Sequence, residues 1–153
     1  METNKCAPFL PVVLIIFLCF LIGCGTKDPG PELTAVMGTV SLNEKPLANA
    51  DLHFIPVEST PGVGGEARTK EGGKFNVIYS RGGEGLPAGN YRVTVSYRLM
   101  PDGSPVPEGD TTPPIESPAT EQLPLKYSDY DHSQLKTTIA PGKPVDLKLT
   151  TKK

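Results

Sequence analysis

Residues 91–97, YRVTVSY, put Tyr91, Val93, Val95 and Tyr97 at alternate positions, with Arg92, Thr94 and Ser96 between them and Arg98 continuing the polar series. Strand side chains point alternately to opposite faces, so the stretch reads as a β-strand with its apolar face in a core and its polar face in water. The same period of two repeats outward along the chain. It sets Val36, Gly38, Val40 and Leu42 on one face of AVMGTVSL, Ala50, Leu52 and Phe54 on one face of ANADLHFIP, and Phe75, Val77 and Tyr79 on one face of KFNVIYS. Leu135, Thr137 and Ile139, then Val145, Leu147 and Leu149, make two more such runs, and a short strand fits Glu66 to Lys70. Seven short strands, each with one wet face, predict an all-β fold of two antiparallel sheets packed as a sandwich.

Composition points the same way. The 153 residues suit one domain, and 16 Gly and 17 Pro with no Trp favour short strands and tight turns over helices. NEKP (43–46) turns the chain after the first strand, and Gly72, Gly73 and Gly89 supply turn conformations that a Cβ disfavours. Pro46 and Pro87 stiffen turn approaches. Tyr91 opens its strand, so its ring is expected inside and its hydroxyl on a backbone partner, as in a tyrosine corner. LMPDGSPVPEGDTTPPIESPATEQL (99–123) has no period and predicts an exposed, mobile, Pro-rich loop. That loop and the Gly-rich segment 61–65 are the expected binding surfaces.

Several strings carry a family resemblance when taken together. GTVSLNEKPLANADLHFIP, TKEGGKF and GLPAGNYRVTV resemble the Gly-x-Val, Lys-Pro-Leu-x-x-Ala, Gly-x-Phe and Leu-Pro-x-Gly-x-Tyr-x-Val signatures of carboxypeptidase-regulatory-like domains. The resemblance covers roughly residues 35–98 and 124–150, and it departs at TKEGG, where relatives often carry Asp after the Thr. It implies a small seven-stranded antiparallel sandwich, Ig-like or prealbumin-like (transthyretin-like), over residues 34–151. With KYSDYDHSQLKTTI before the last strand, the chain is similar to small lipoproteins of planctomycete bacteria.

The amino terminus carries the second resemblance. Phe9 to Gly23 is almost wholly apolar, preceded by Lys5 and the free amine as the only positive charges. A bilayer-spanning helix needs about 20 apolar residues, whereas a secretory core needs about 7 to 15. Pro8 and Pro11 also sit badly in a spanning helix, so residues 1–23 read as a signal peptide. Leu21-Ile22-Gly23-Cys24 resembles the bacterial lipobox: an aliphatic residue, a small or aliphatic one, Gly or Ala, then Cys. The resemblance implies that diacylglycerol is joined to the Cys24 sulfur, that cleavage precedes Cys24, and that the new amine is acylated. Two or three chains on one residue would make release from a membrane slow. Cys6 and Cys19 fall in the discarded segment, leaving no partner for a disulfide. Residues 24–33 then read as lipidated Cys plus flexible tether. The expected location is the cell envelope, membrane-anchored by lipid, with the domain facing periplasm or exterior. Gly25 leaves either membrane open.

Chemistry is sparse. With 15 basic and 17 acidic side chains and no Lys/Arg run, nucleic acid is not expected as a partner. His53 falls on the expected solvent face of its strand, and His132 lies in SDYDHS beside Ser128, Asp129 and Asp131. That cluster has neither a second His or Cys nor the Gly and distal Glu of a Ca²⁺ loop, so it reads as an Asp-capped turn. No G-x-S-x-G elbow is present, and GVGGE and RGGEG lack the Gly-Lys-Ser/Thr ending of a phosphate loop. No enzyme activity, cofactor or metal is expected. The leading expectation is an accessory or interaction module with an envelope protein as partner. A carbohydrate- or peptidoglycan-binding module is the alternative, with Tyr127 and Tyr130 as the aromatic contacts.

Overall fold

The computed structural model describes residues 30–151. The signal-like segment, Cys24 and residues 25–29 lie outside them. In chain order the strands are β1 (Met37–Leu42), β2 (Lys45–Pro46), β3 (Asp51–Pro56), β4 (Gly65–Arg68), β5 (Lys74–Asn76), β6 (Ile78–Tyr79), β7 (Gly89–Ser96), β8 (Arg98–Leu99), β9 (Thr120–Glu121), β10 (Leu135–Ile139) and β11 (Val145–Leu149). One helical turn, α1 (Leu125–Ser128), stands between β9 and β10. The all-β expectation holds.

One sheet is built around β1. It pairs with β11 along one edge, and its other edge is shared by β5 at the start and β2 at the end. Asn43 and Glu44, both at positive φ (50° and 68°), form the two-residue turn that returns β2 alongside β1. The second sheet has the order β10-β7-β3-β4-β6 and is antiparallel throughout. β8 and β9 make a small separate ladder.

Three features depart from the expected sandwich. The strands number more than seven, because β2, β8 and β9 are two-residue additions without a periodic run and one alternating run divides between sheets. KFNVIYS is one run in sequence, yet β5 pairs with β1 while β6 pairs with β4, and Val77 at the corner is 1% exposed. Next, β11 runs parallel to β1, with Gly38 opposite Val145 and Leu42 opposite Leu149. Side-chain alternation is the same for either strand direction, so periodicity alone could not distinguish them. Finally, Thr94 does not face water but is buried, because the segment containing α1 packs over β7.

The alternating apolar set meets between the sheets. Phe54 of β3 stacks against Phe75 of β5 at 6.0 Å between ring centroids and against Tyr91 of β7 at 6.5 Å, the latter edge-on. Gly38 is required by this packing: a Cβ there would lie 2.7 Å from the Phe75 ring and 2.0 Å from the Val145 carbonyl oxygen. Tyr91 is fully buried, and its hydroxyl donates to the Pro87 carbonyl at 2.9 Å, as the corner reading expected.

Two predictions follow from this packing. Gly38→Ala is expected to destabilise the domain by roughly 1–3 kcal/mol or more in urea titration, since the backbone of β11 must move to admit the methyl. For Tyr91, burial first and then Tyr79 push the phenol up from 10.0 to about 12. The fold holds the neutral form, so this contribution is intact below about pH 10 and is lost as pH rises towards 12. Tyr91→Phe should cost about 1–2 kcal/mol at neutral pH, by orphaning the Pro87 carbonyl. It should also lessen the alkaline decline, which denaturant midpoints across that range would show.

Candidate binding groove

The outward residues of the second sheet line up by register. Ile78 of β6 lies opposite Glu66 of β4, Glu66 opposite His53 of β3, and His53 opposite Thr94 of β7. In the next row Arg68 faces Asp51, and Asp51 faces Ser96. Apart from Thr94, the residues of these two rows floor a groove of about 870 Å³, which is also lined by residues of the 106–119 segment and by Leu125, Ser128 and Asp129. A second hollow of about 370 Å³ adjoins it, sharing His53, Glu66 and Ser128 and adding Val63 and Tyr130.

The wall formed by residues 99–123 is tied down by hydrogen bonds at several points. Arg98 and Leu99 of β8 pair with Glu121 and Thr120 of β9, closing the base of the excursion. Glu121 works as a clasp. One carboxylate oxygen accepts from the Ser96 hydroxyl at 2.6 Å, and the other accepts from the backbone amides of Tyr97, Gln122 and Leu123 at 2.9–3.0 Å. Further out, Asp102 and Asp110 cap turns by accepting from Ser104 and Thr112, and those bonds hold both carboxyls below the usual carboxylate range. Arg68 donates to both oxygens of Asp51, at 2.9 and 3.2 Å, and to the Val106 carbonyl, which ties the wall to the floor.

The SDYDHS turn borders the groove through Ser128 and Asp129. The Asp129 carboxylate accepts from the amides of Asp131 and His132 and from the His132 ring Nδ1 at 2.6 Å. The Ser128 hydroxyl donates to the Pro124 carbonyl rather than towards His132, and Ser133 donates to the Val93 carbonyl beneath. The geometry is that of a capped turn pinned to β7, as the sequence suggested, and no metal-holding group occurs among the described residues.

No protein family, curated protein or solved structure matches the chain.

The two expected aromatic contacts separate. Tyr130 is 59% exposed at the groove's rim, with its carbonyl accepting from Arg92 at 3.2 Å. Tyr127 is not a surface residue: it is 7% exposed, and its hydroxyl accepts from the Thr150 amide and donates to the Thr150 carbonyl. The helical turn of α1 swings its ring inward, where it clamps the end of the last strand. Tyr130 is the only exposed Phe or Tyr among the described residues. His53 stands on the solvent face as expected, with its Nδ1 3.7 Å from Glu66.

Sequence reasoning did not pick out Glu66, Ile78, Leu125 or the Glu121 clasp. Glu66 and Ile78 occupy the polar phase of their strands and were visible as outward positions. Leu125 and Glu121 had no local signal, because their partners lie elsewhere in the chain.

The Asp129–His132 pair makes the turn pH-dependent. Hydrogen bonding to Asp129 raises His132 above the ordinary imidazole value, and the same bond, with the His132 amide, holds Asp129 below the ordinary carboxylate value. The raised imidazole contributes stability present below its unfolded value and lost as pH rises through its folded one. The lowered carboxylate contributes stability present above its unfolded value and lost on acidification. The pair is thus worth most between about pH 4 and about 6.5. His132→Asn should remove that optimum while leaving stability near pH 8 little changed, as read by thermal melts across pH.

Proposed function

We propose that this chain is a lipid-anchored, non-catalytic module of a bacterial cell envelope, built on a transthyretin-like sandwich of the carboxypeptidase-regulatory-like kind. Its task is to present the outer face of the five-stranded sheet to another envelope component. The observation that carries this role is the distribution of exposed apolar side chains. Of the six large ones among the described residues, Val63, Ile78, Leu125 and Tyr130 all line the groove and its adjoining hollow. Scattered exposed apolar residues are ordinary, but a gathered set rimmed by polar residues marks a contact surface.

The anchor rests on Leu21-Ile22-Gly23-Cys24 at the junction between the apolar stretch and polar chain. A non-catalytic role is supported by the orientation of Ser128, whose hydroxyl is bonded to the helical turn instead of to His132. The sugar-binding alternative is disfavoured because Tyr127 is committed to the core, which leaves Tyr130 without a companion ring.

In cells fed a palmitate analogue, the wild-type chain should take up label and sediment with membranes, and Cys24→Ala should lose both properties. Equal labelling of the two proteins would refute the anchor.

A further inference from the structure

We infer that the groove is a docking site for a cationic, extended polypeptide segment that carries apolar side chains on either side of its basic ones. The inference deepens the binding role proposed above and rests on it. Charge is the first argument. Asp51, Glu66, Glu108, Asp110, Glu121 and Asp129 line the groove against only Arg68 and Arg98. Arg68 is engaged by Asp51 and the Val106 carbonyl, so its charge is already matched. Asp110, Glu121 and Asp129 are spent on turns and the clasp. What faces an incoming ligand is Glu66, whose side chain is 68% exposed and 3.7 Å from His53, together with the exposed Glu108 on the wall, against the single remaining cation Arg98, whose Nη2 is buried without a hydrogen-bond partner. The chain as a whole has a net charge of only −2, so acidity is concentrated on this face.

Shape and apolar contact narrow the occupant. The floor runs from β6 to β7, three strand spacings or about 14 Å, which is the length of about four extended residues. Ile78 stands at one end of that run and Leu125 at the other, with Glu66 and His53 between them. An extended peptide turns every second side chain to the same side, so a basic residue can reach Glu66 while the apolar residues two places before and after it reach the two ends. A small polycation would satisfy the carboxylates but leave the apolar rim uncovered. A neutral sugar would want a flat ring platform, and the groove offers Tyr130 alone.

The test uses the purified full-length chain and labelled peptides of about ten residues, read by fluorescence anisotropy at low and at physiological salt. The probes repeat Val-Ser-Lys-Ser (the Lys/Val peptide), Val-Ser-Glu-Ser (Glu/Val) or Ser-Ser-Lys-Ser (Lys/Ser), and spermine serves as competitor. The Lys/Val peptide should bind, and the Glu/Val and Lys/Ser peptides should bind at least about tenfold more weakly. Glu66→Lys and Glu108→Lys, both at exposed positions, should each weaken the Lys/Val peptide by roughly tenfold and reduce its salt dependence. Ile78→Ser and Leu125→Ser should weaken it several-fold without altering that dependence. Binding of the Glu/Val peptide as tight as that of Lys/Val, displacement by spermine at matched charge concentration, or indifference to all four substitutions would overturn the inference. Cys24 plays no part in these measurements. Loss of labelling with retained peptide binding would remove the anchor alone, and retained labelling without peptide binding would remove this occupant alone.

Discussion

Phe54 is held between Phe75, which belongs to the sheet around β1, and Tyr91, which belongs to its own sheet. It is the side chain through which the two layers are registered. No cysteine occurs after residue 24, so the described domain has no covalent bridge to fall back on, and cohesion depends on how well these rings fill the space. The neighbouring constraints serve that fit. Gly38 leaves room for the Phe75 ring beneath the last strand, and the Pro87 carbonyl satisfies the Tyr91 hydroxyl, which would otherwise be a buried orphan. Once the rings are seated, the inward phase of every adjoining strand is fixed, and the outward phase with it. The groove floor is therefore a consequence of core packing and does not depend on loop geometry.

The part of the fold that could be read from sequence is the part that alternation encodes. Val93, Val95, Leu52 and Val40 are buried as their positions implied, and His53 is exposed as its position implied. Alternation carries no information about which sheet a strand joins or in which direction it runs. That is why KFNVIYS divides between sheets at Val77, and why β11 lies parallel to β1 although the two are nearly the whole domain apart in sequence. Tyr127 shows the converse limit. Outside a periodic run, nothing local tells an aromatic residue that clamps the Thr150 backbone from one that waits for a sugar.

The groove was half legible for the same reason. Its floor is the polar phase of β3, β4 and β6, which can be read from ADLHFIP, GEAR and VIY once the core phase is known. Its walls come from the excursion and the α1 turn, whose placement depends on Glu121 reaching Ser96 and on Ser133 reaching Val93, across 25 and 40 residues. Polar contacts over such separations leave no trace in hydropathy. The contacts of the excursion are short-range Asx turns and one carboxylate with many donors, both compatible with a composition that otherwise signals disorder.

The point where the chain enters the domain gives the groove an orientation. Leu33 packs over Gly83, Thr34 bridges to Leu86, and Glu84 bridges to Ile78 at one end of the groove. With the anchor proposed at Cys24, the stretch to Leu33 spans at most about 30 Å, at roughly 3.3–3.6 Å per extended residue. The β6 end of the groove, next to the chain's entry, would then be the end held nearer to a membrane. A partner in the same layer would meet the groove at a high effective concentration, so modest intrinsic affinity would suffice. An open, wet groove with a few apolar contacts at its ends and a carboxylate between them suits that regime better than an enclosed pocket would. The short tether and the shallow site are then parts of one arrangement.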